Sequence, residues 1–135
     1  MRQPLSLSLR PHAPLSDLLP LAHILVTNGN SESVLAALQA GLPLVVLPSI
    51  WDQAEMAWRV EETGVGLRVS PWRATPMRLR KAVECLLQEP LFRHRAVEMR
   101  AALNGYGGPT RAARLIEDLV GENSQTYAGL KPRAG

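Results

Sequence analysis

Two short apolar runs, residues 23–27 (His-Ile-Leu-Val-Thr) and 44–47 (Leu-Val-Val-Leu), each lead through a turn-forming loop into a helical pattern. Runs this short and rich in β-branched side chains read as strands buried on both faces, and such strands belong to parallel sheets covered by helices. Residues 28–30 (Asn-Gly-Asn) make the first turn, since Gly and Asn tolerate positive φ at little cost. Residues 31–40 then read as a helix with Val34, Leu35 and Leu38 on one side. Gly41 stops that helix and Pro43 prevents its return. A second helix is expected over residues 52–62, with Gly64 and Gly66 marking its exit and a last short strand over 67–69. Strand, helix, strand, helix, strand at this density predicts an α/β fold with a parallel sheet and crossover helices.

The flanks are less regular. Residues 5–9 alternate Leu with Ser and read as a strand that Pro11 and Pro14 break, and residues 17–22 as one turn of helix. After Pro71 the chain turns helical. Thr75 caps a helix with Pro76 at its first position and an apolar stripe of Leu79, Val83 and Leu86. Pro90 ends it, a further helix spans 91–103, and the loop 105–109 separates that from a last one over 110–120. The expected organisation is one domain over residues 1–120 and a weakly patterned tail over 121–135.

Composition narrows the class of function. The formal charge of +3 comes from Arg residues interleaved with Glu84, Glu89 and Glu98, not from a clustered basic face with aromatics, so no nucleic-acid partner is expected. Cys85 is the single cysteine, which excludes an internal disulfide and a Cys-based zinc site. No apolar run approaches the roughly 20 residues that span a bilayer, and no secretory signal pattern opens the chain. The expectation is a cytoplasmic protein without a membrane span. No acidic cluster suggests a metal.

In an open parallel sheet, ligands sit beyond the carboxyl ends of the strands. Two loops qualify. The first, Thr27-Asn28-Gly29-Asn30-Ser31-Glu32-Ser33, enters a helix whose free N–H groups and macrodipole suit a phosphate. Equally, Asn30 or Ser31 could serve only as the helix cap. The second, Pro48-Ser49-Ile50-Trp51-Asp52-Gln53, offers a carboxylate beside a carboxamide, acceptors and donors matched to vicinal sugar hydroxyls. Asp52 could instead be an N-cap.

Together these loops carry a longer pattern: strand, Asn-Gly-x-Ser-x-Ser-x-x-Ala, helix, Gly-Leu-Pro, strand, Pro, then Trp-Asp-Gln-Ala-Glu-Met-Ala. In that order they resemble the donor-binding motif of GT-B glycosyltransferases, which have two facing Rossmann-like domains. The group most similar is the bacterial macrolide and antibiotic glycosyltransferases, relatives of the UDP-glycosyltransferases. The likeness extends over about residues 8–119 and includes Gly64-Val65-Gly66 and Gly107-Gly108-Pro109. It implies a partial Rossmann-like sheet with flanking helices, the C-terminal half of a GT-B fold.

The resemblance implies a donor site built from Asn28, Gly29, Ser31, Ser33, Asp52 and Gln53. Ser33 falls on the phosphate-binding Ser or Thr, Gly29 on a glycine that lets backbone approach the diphosphate, and Asp52 with Gln53 on the pair that holds the donor sugar. Asn28 replaces a phosphate-contacting His, Ala36 a ribose-binding Glu, Leu15 a Gln near the base, and Met56 an Asn. Glu32 would repel a diphosphate; two like charges near 5 Å cost on the order of 1–3 kcal/mol at an effective dielectric of about 20 to 60.

The implied activity is hexose transfer from a nucleoside-diphosphate sugar, as substrate and not cofactor, to an acceptor hydroxyl. The acceptor domain and general base belong to a part of such an enzyme that this chain does not match. None of His12, His23 or His94 falls on that base, so the chain is expected to hold no catalytic residue and to be a fragment. Its expected partners are a nucleotide sugar and an acceptor-domain chain or a second copy. A non-catalytic or split-subunit sugar-nucleotide module is the main alternative, with precedent in a eukaryotic N-acetylglucosaminyltransferase divided between two chains. A sugar-nucleotide epimerase of the same architecture fits the Asp-Gln pair less well.

Overall fold

Three parallel strands, β1 (Leu25–Thr27), β2 (Leu44–Val46) and β3 (Gly66–Arg68), form a sheet in the order β1-β2-β3. Val26 lies opposite Val45, and Val45 opposite Leu67. The computed structural model describes residues 7–127. It contains α1 (Leu15–Leu18), which continues into a 3-10 turn (Leu19–Leu21), and α2 (Ser31–Gln39) between β1 and β2. Then come α3 (Trp51–Glu62) between β2 and β3, α4 (Pro76–Gln88), α5 (Pro90–Gly105) and α6 (Gly108–Tyr127). The chain divides into two compact units, residues 1–100 and 101–135, with the boundary inside α5.

In the first unit β2 is the centre. Leu44, Val45 and Val46 are all fully buried, as expected for a strand covered on both sides. The two-residue period divides their side chains between two layers. Val45 clusters with Val69 and with Ala82 and Leu86 of α4, and Leu79, Val83 and Phe92 pack around them. On the other face Gly66 meets Val60 of α3, and Ala57 and Val60 are buried. Each buried Val or Leu contributes about 1.5–3 kcal/mol relative to exposure, so this layer pair holds the site in place.

Both crossover helices stop the same way. Leu42 N–H donates to Ala37 O at 2.9 Å and Gly41 N–H to Leu38 O at 2.9 Å; Val65 and Gly64 repeat the pattern with Val60 and Glu61 at 3.2 and 3.0 Å. These paired bonds consume the last carbonyls of each helix and send the chain straight into the next strand. Thr75 caps α4 as its sequence implies, its hydroxyl accepting from Arg78 N–H at 3.2 Å ahead of Pro76.

Several expectations change. Residues 7–10 form no strand: Leu7 and Leu9 are 83% and 84% exposed, so their alternation buries nothing; Leu5 and Ser6 lie outside the described residues. Leu35 is exposed, and Ala37 takes its place in the buried stripe of α2. Gly66 lies inside β3 instead of before it. In the second unit only Tyr106 and Gly107 separate α5 from α6, and α6 runs to Tyr127 where the pattern suggested an end at residue 120. Among the described residues, no helix is long and apolar enough to cross a membrane.

Candidate functional site

All three strands point the same way, so the loops leaving β1, β2 and β3 gather at one edge of the sheet. The loop after β1 is tied by its own side chains. Thr27 Oγ1 accepts from Gly29 N–H at 3.2 Å, and Asn28 Oδ1 accepts from Asn30 N–H at 3.3 Å. Asn30 caps α2, its Oδ1 accepting from Ser33 N–H at 2.8 Å. Of the two readings left open by sequence, Asn30 is therefore the cap.

The Ser33 hydroxyl is buried. It lies 2.8 Å from Thr27 Oγ1 and 3.2 Å from Asn30 O, to which it donates. That hydroxyl staples the end of β1 to the first turn of α2. Ser31 and Glu32 occupy the first two positions of α2, and their N–H groups donate to no acceptor among the described residues. Two backbone donors thus remain at the positive end of the helix dipole.

Gly29 is held at φ +91°, and a Cβ there would come within 2.6 Å of Val46 Cγ1. Its Cβ position is also 3.5 Å from Gln53 O and 3.8 Å from Gln53 Cβ. The positive φ and the close approach to Val46 of β2 both call for a residue without a side chain at this position. The structure therefore brings the Asn28–Ser33 loop and the Asp52-Gln53 pair together.

Gln53 is 4% exposed, and its Oε1 accepts three bonds: from Ser49 N–H at 2.9 Å, Ser49 Oγ at 2.9 Å and Ile50 N–H at 3.3 Å. Gln53 N–H in turn donates to Ile50 O at 3.1 Å. The helix cap is Ile50, so the alternative of Asp52 as N-cap is overturned: Asp52 lies one residue inside α3, exposed and without a hydrogen bond or ion pair to the described residues. Gln53 Nε2 has no partner among the described residues, where no buried side-chain N or O is left unpaired, so Nε2 is accessible.

Sequence reasoning missed Thr27 and Ser49, whose hydroxyls lock the two loops. A Thr ending an apolar run six residues before a Ser is the only signal that could have pointed to the first. It also passed over Trp72, which is 95% exposed and with Ile50, Pro48 and Pro71 walls a cleft of about 660 Å³ after β2 and β3. A second cleft, about 490 Å³, lies between α1 and α2 and is lined by Leu15, Glu32 and Ala36 among others. Among the described residues no group of three His, Cys, Asp or Glu side chains could hold a metal ion. His94 pairs with Glu98 at 3.2 Å on the exposed side of α5.

Residues 4–119 match the family model described as "Erythromycin biosynthesis protein CIII-like, C-terminal domain". The NDP-glycosyltransferase YjiC of Bacillus subtilis is 31% identical over 117 residues, covering 87% of this chain and 30% of that protein. The calicheamicin glycosyltransferase CalG4 superposes with a TM-score of 0.77 at 34% identity, over 84% of this chain and 30% of that one. Glycosyltransferase VinC, solved in complex with dTDP, gives a TM-score of 0.65 at 31% identity over 67% of this chain and 23% of VinC. The chain thus spans only 24–30% of the length of the curated relatives it matches.

Proposed function

The chain belongs to the family of Erythromycin biosynthesis protein CIII-like C-terminal domains, and from that membership we propose that it is the donor-binding portion of a GT-B glycosyltransferase that moves a hexose from a nucleoside-diphosphate sugar to an acceptor hydroxyl. The observation that carries this reading is the pair of amides opening α2 that donate to no described residue, in a loop whose Gly29 faces Gln53, a Cβ there lying 3.5 Å from Gln53 O. A diphosphate fits the amides and a sugar ring the Asp52-Gln53 pair.

In this account the N–H groups of Ser31 and Glu32 donate to the diphosphate, with the Asn28 carboxamide available beside them. The buried Ser33 hydroxyl acts by holding the loop in shape, and Gly29 by admitting close approach. Gln53 Nε2 donates to a sugar hydroxyl, and the Asp52 carboxylate accepts from its neighbour. As the acceptor oxygen bonds to the anomeric carbon, the bond to the diphosphate oxygen breaks and the acceptor proton passes to a base outside this chain. Negative charge then builds on the diphosphate, where the two amides and the dipole of α2 stabilise it. Transfer itself is a property of the assembled protein.

Backbone NMR with UDP and with dTDP tests the binding half of the account. The largest amide shifts are expected at Ser31 and Glu32, spreading to Gly29 and Gln53. Absence of a saturable shift at millimolar nucleotide would contradict it and favour a module that has lost its ligand.

A further inference from the structure

The cleft after β2 and β3 has no charged side chain on its lining, which is Pro48, Ser49, Ile50, Ala54, Pro71 and Trp72 around about 660 Å³. A mostly apolar cleft of this size, beyond the carboxyl ends of parallel strands, is the ordinary form of a small-molecule site. One hydroxyl lines it, that of Ser49, and it already donates to Gln53 Oε1 at 2.9 Å. Trp72 stands on a 3-10 turn (Pro71–Arg73) that leads through Ala74 into Thr75, the cap of α4. Arg73 N–H donates to Ser70 O at 3.0 Å and Ala74 N–H to Pro71 O at 3.2 Å, so the backbone of the turn is held at both ends. The indole it carries is 95% exposed, and Ile50 on the same cleft is 59% exposed. Two large apolar side chains left in water around one cleft form a patch, and such patches mark binding surfaces.

The cleft adjoins the position assigned to the sugar. Ser49, Ile50 and Ala54 flank Gln53 in the chain, and Ser49 and Ile50 both donate to its Oε1. Along the carboxyl edge of the sheet, the amides of Ser31 and Glu32 follow β1, Gln53 follows β2, and the Pro71-Trp72 turn follows β3. In transfer the anomeric carbon lies between the diphosphate oxygen that it leaves and the acceptor oxygen that it joins. With the diphosphate on the β1 side of the hexose, the β3 side is left for the acceptor.

Resting on the reading of the chain as the donor-binding portion of a glycosyltransferase, we propose that this cleft holds the apolar ring bearing the acceptor hydroxyl, with Trp72 as a specificity-determining residue for it. The occupant is uncharged, because no lining side chain could pair a charge and burying one unpaired is costly. It is flat and apolar where it meets the indole, which offers a large rigid face for stacking. Its hydroxyl lies at the Ser49 end, beside Gln53. Acceptor recognition is then shared between this chain and the part of the enzyme that supplies the base.

NMR on the chain as it stands tests this, with 2-naphthol as the uncharged hydroxylated ring and UDP-glucose as the donor. 2-Naphthol should give saturable shifts at the Trp72 indole N–H and at the amides of Ser49, Ile50 and Ala54, and none at Ser31 or Glu32. With UDP-glucose bound as well, interligand NOEs should join the naphthol ring to the hexose and not to the uridine. Trp72→Ala should weaken 2-naphthol about tenfold and Trp72→Phe less, both with unchanged melting temperature and UDP affinity. Equal 2-naphthol affinity in wild type and Trp72→Ala, shifts away from the cleft, no saturable shift, or NOEs to the uridine would each overturn the assignment. So would shifts of the lining residues on raising the protein concentration alone, which would give the cleft to a second copy. A chain that binds 2-naphthol at Trp72 but not UDP would instead remove the donor-binding reading, and the acceptor role with it.

Discussion

Replacing Gly66 by alanine is expected to abolish the fold. Gly66 sits in β3 opposite Leu44 of β2, and a Cβ there would overlap the Leu44 carbonyl oxygen and lie 2.8 Å from Val60 Cγ1. Leu44 and Val60 are 0% and 2% exposed, so neither has room to yield. The obstacle is backbone, and it could be relieved only by separating β2 from β3. The loss should be on the order of 5 kcal/mol, the exceptional class for a single substitution and comparable to a small domain's whole stability. Circular dichroism should find no cooperative melt. As a control, Gly121→Ala in α6 meets nothing within 4 Å and should raise stability by about 0.5–1 kcal/mol through helix propensity alone. A folded Gly66→Ala protein with a near-native melting temperature would show that β3 is not where it is placed.

The next largest effect is expected at Gln53, where two roles can be separated. Gln53→Leu removes the oxygen that accepts three bonds from Ser49 and Ile50, and about 2–3 kcal/mol of stability should go with it. Gln53→Glu keeps an acceptor for those donors but loses Nε2, the group assigned to a sugar hydroxyl. It should melt within about 1 kcal/mol of wild type, bind UDP somewhat more weakly through the added negative charge, and lose the added affinity of UDP-hexose over UDP. Equal destabilisation by Leu and Glu would argue against the clamp. An unchanged UDP-hexose preference in Gln53→Glu would argue against the sugar contact.

What was legible in the sequence follows from what local pattern can report. β2 was plain because Leu44, Val45 and Val46 are apolar at consecutive positions between a helix stop and Pro48, and a strand with no polar side must be covered twice. The cap of α4 was plain because Thr75-Pro76 is a local signal. β3 begins a residue earlier than its pattern suggests because Gly66 reads in sequence as a break, whereas its absent side chain is what permits the sheet to close on Leu44. Such an approach is a tertiary fact. The Leu-Ser alternation near the start misled for the converse reason: alternation records a possible strand, and nothing covers Leu7 or Leu9.

The site divides along the same line. The order of motifs points to Asn28, Gly29, Ser31, Ser33, Asp52 and Gln53 as a donor site, and in the fold the position of a Gly29 Cβ lies 3.5 Å from Gln53 O. Their individual roles were not legible. Ser33 carries the right hydroxyl but spends it on Thr27 and Asn30. Asp52 is no cap because α3 begins a residue before it, with Ile50 at the cap position and Gln53 reaching back to Ser49 and Ile50. A side chain turned onto its own loop leaves no trace in spacing.

The central claim is that the amides opening α2 bind a nucleotide's diphosphate, and proline at position 31 tests it most directly. Ser31 is the first residue of α2, where proline fits a helix without loss, and Asn30 before it has φ −62° and ψ 148°, a conformation proline allows in its predecessor. Ser31→Pro therefore deletes one N–H and little else, and Ser31→Ala is the reference for the missing hydroxyl. Both variants should melt like wild type. Measured by calorimetry, UDP affinity should be nearly unchanged in Ser31→Ala and about tenfold or more weaker in Ser31→Pro, as expected for a hydrogen bond to a charged group. Equal UDP affinity in the folded alanine and proline variants would contradict the account.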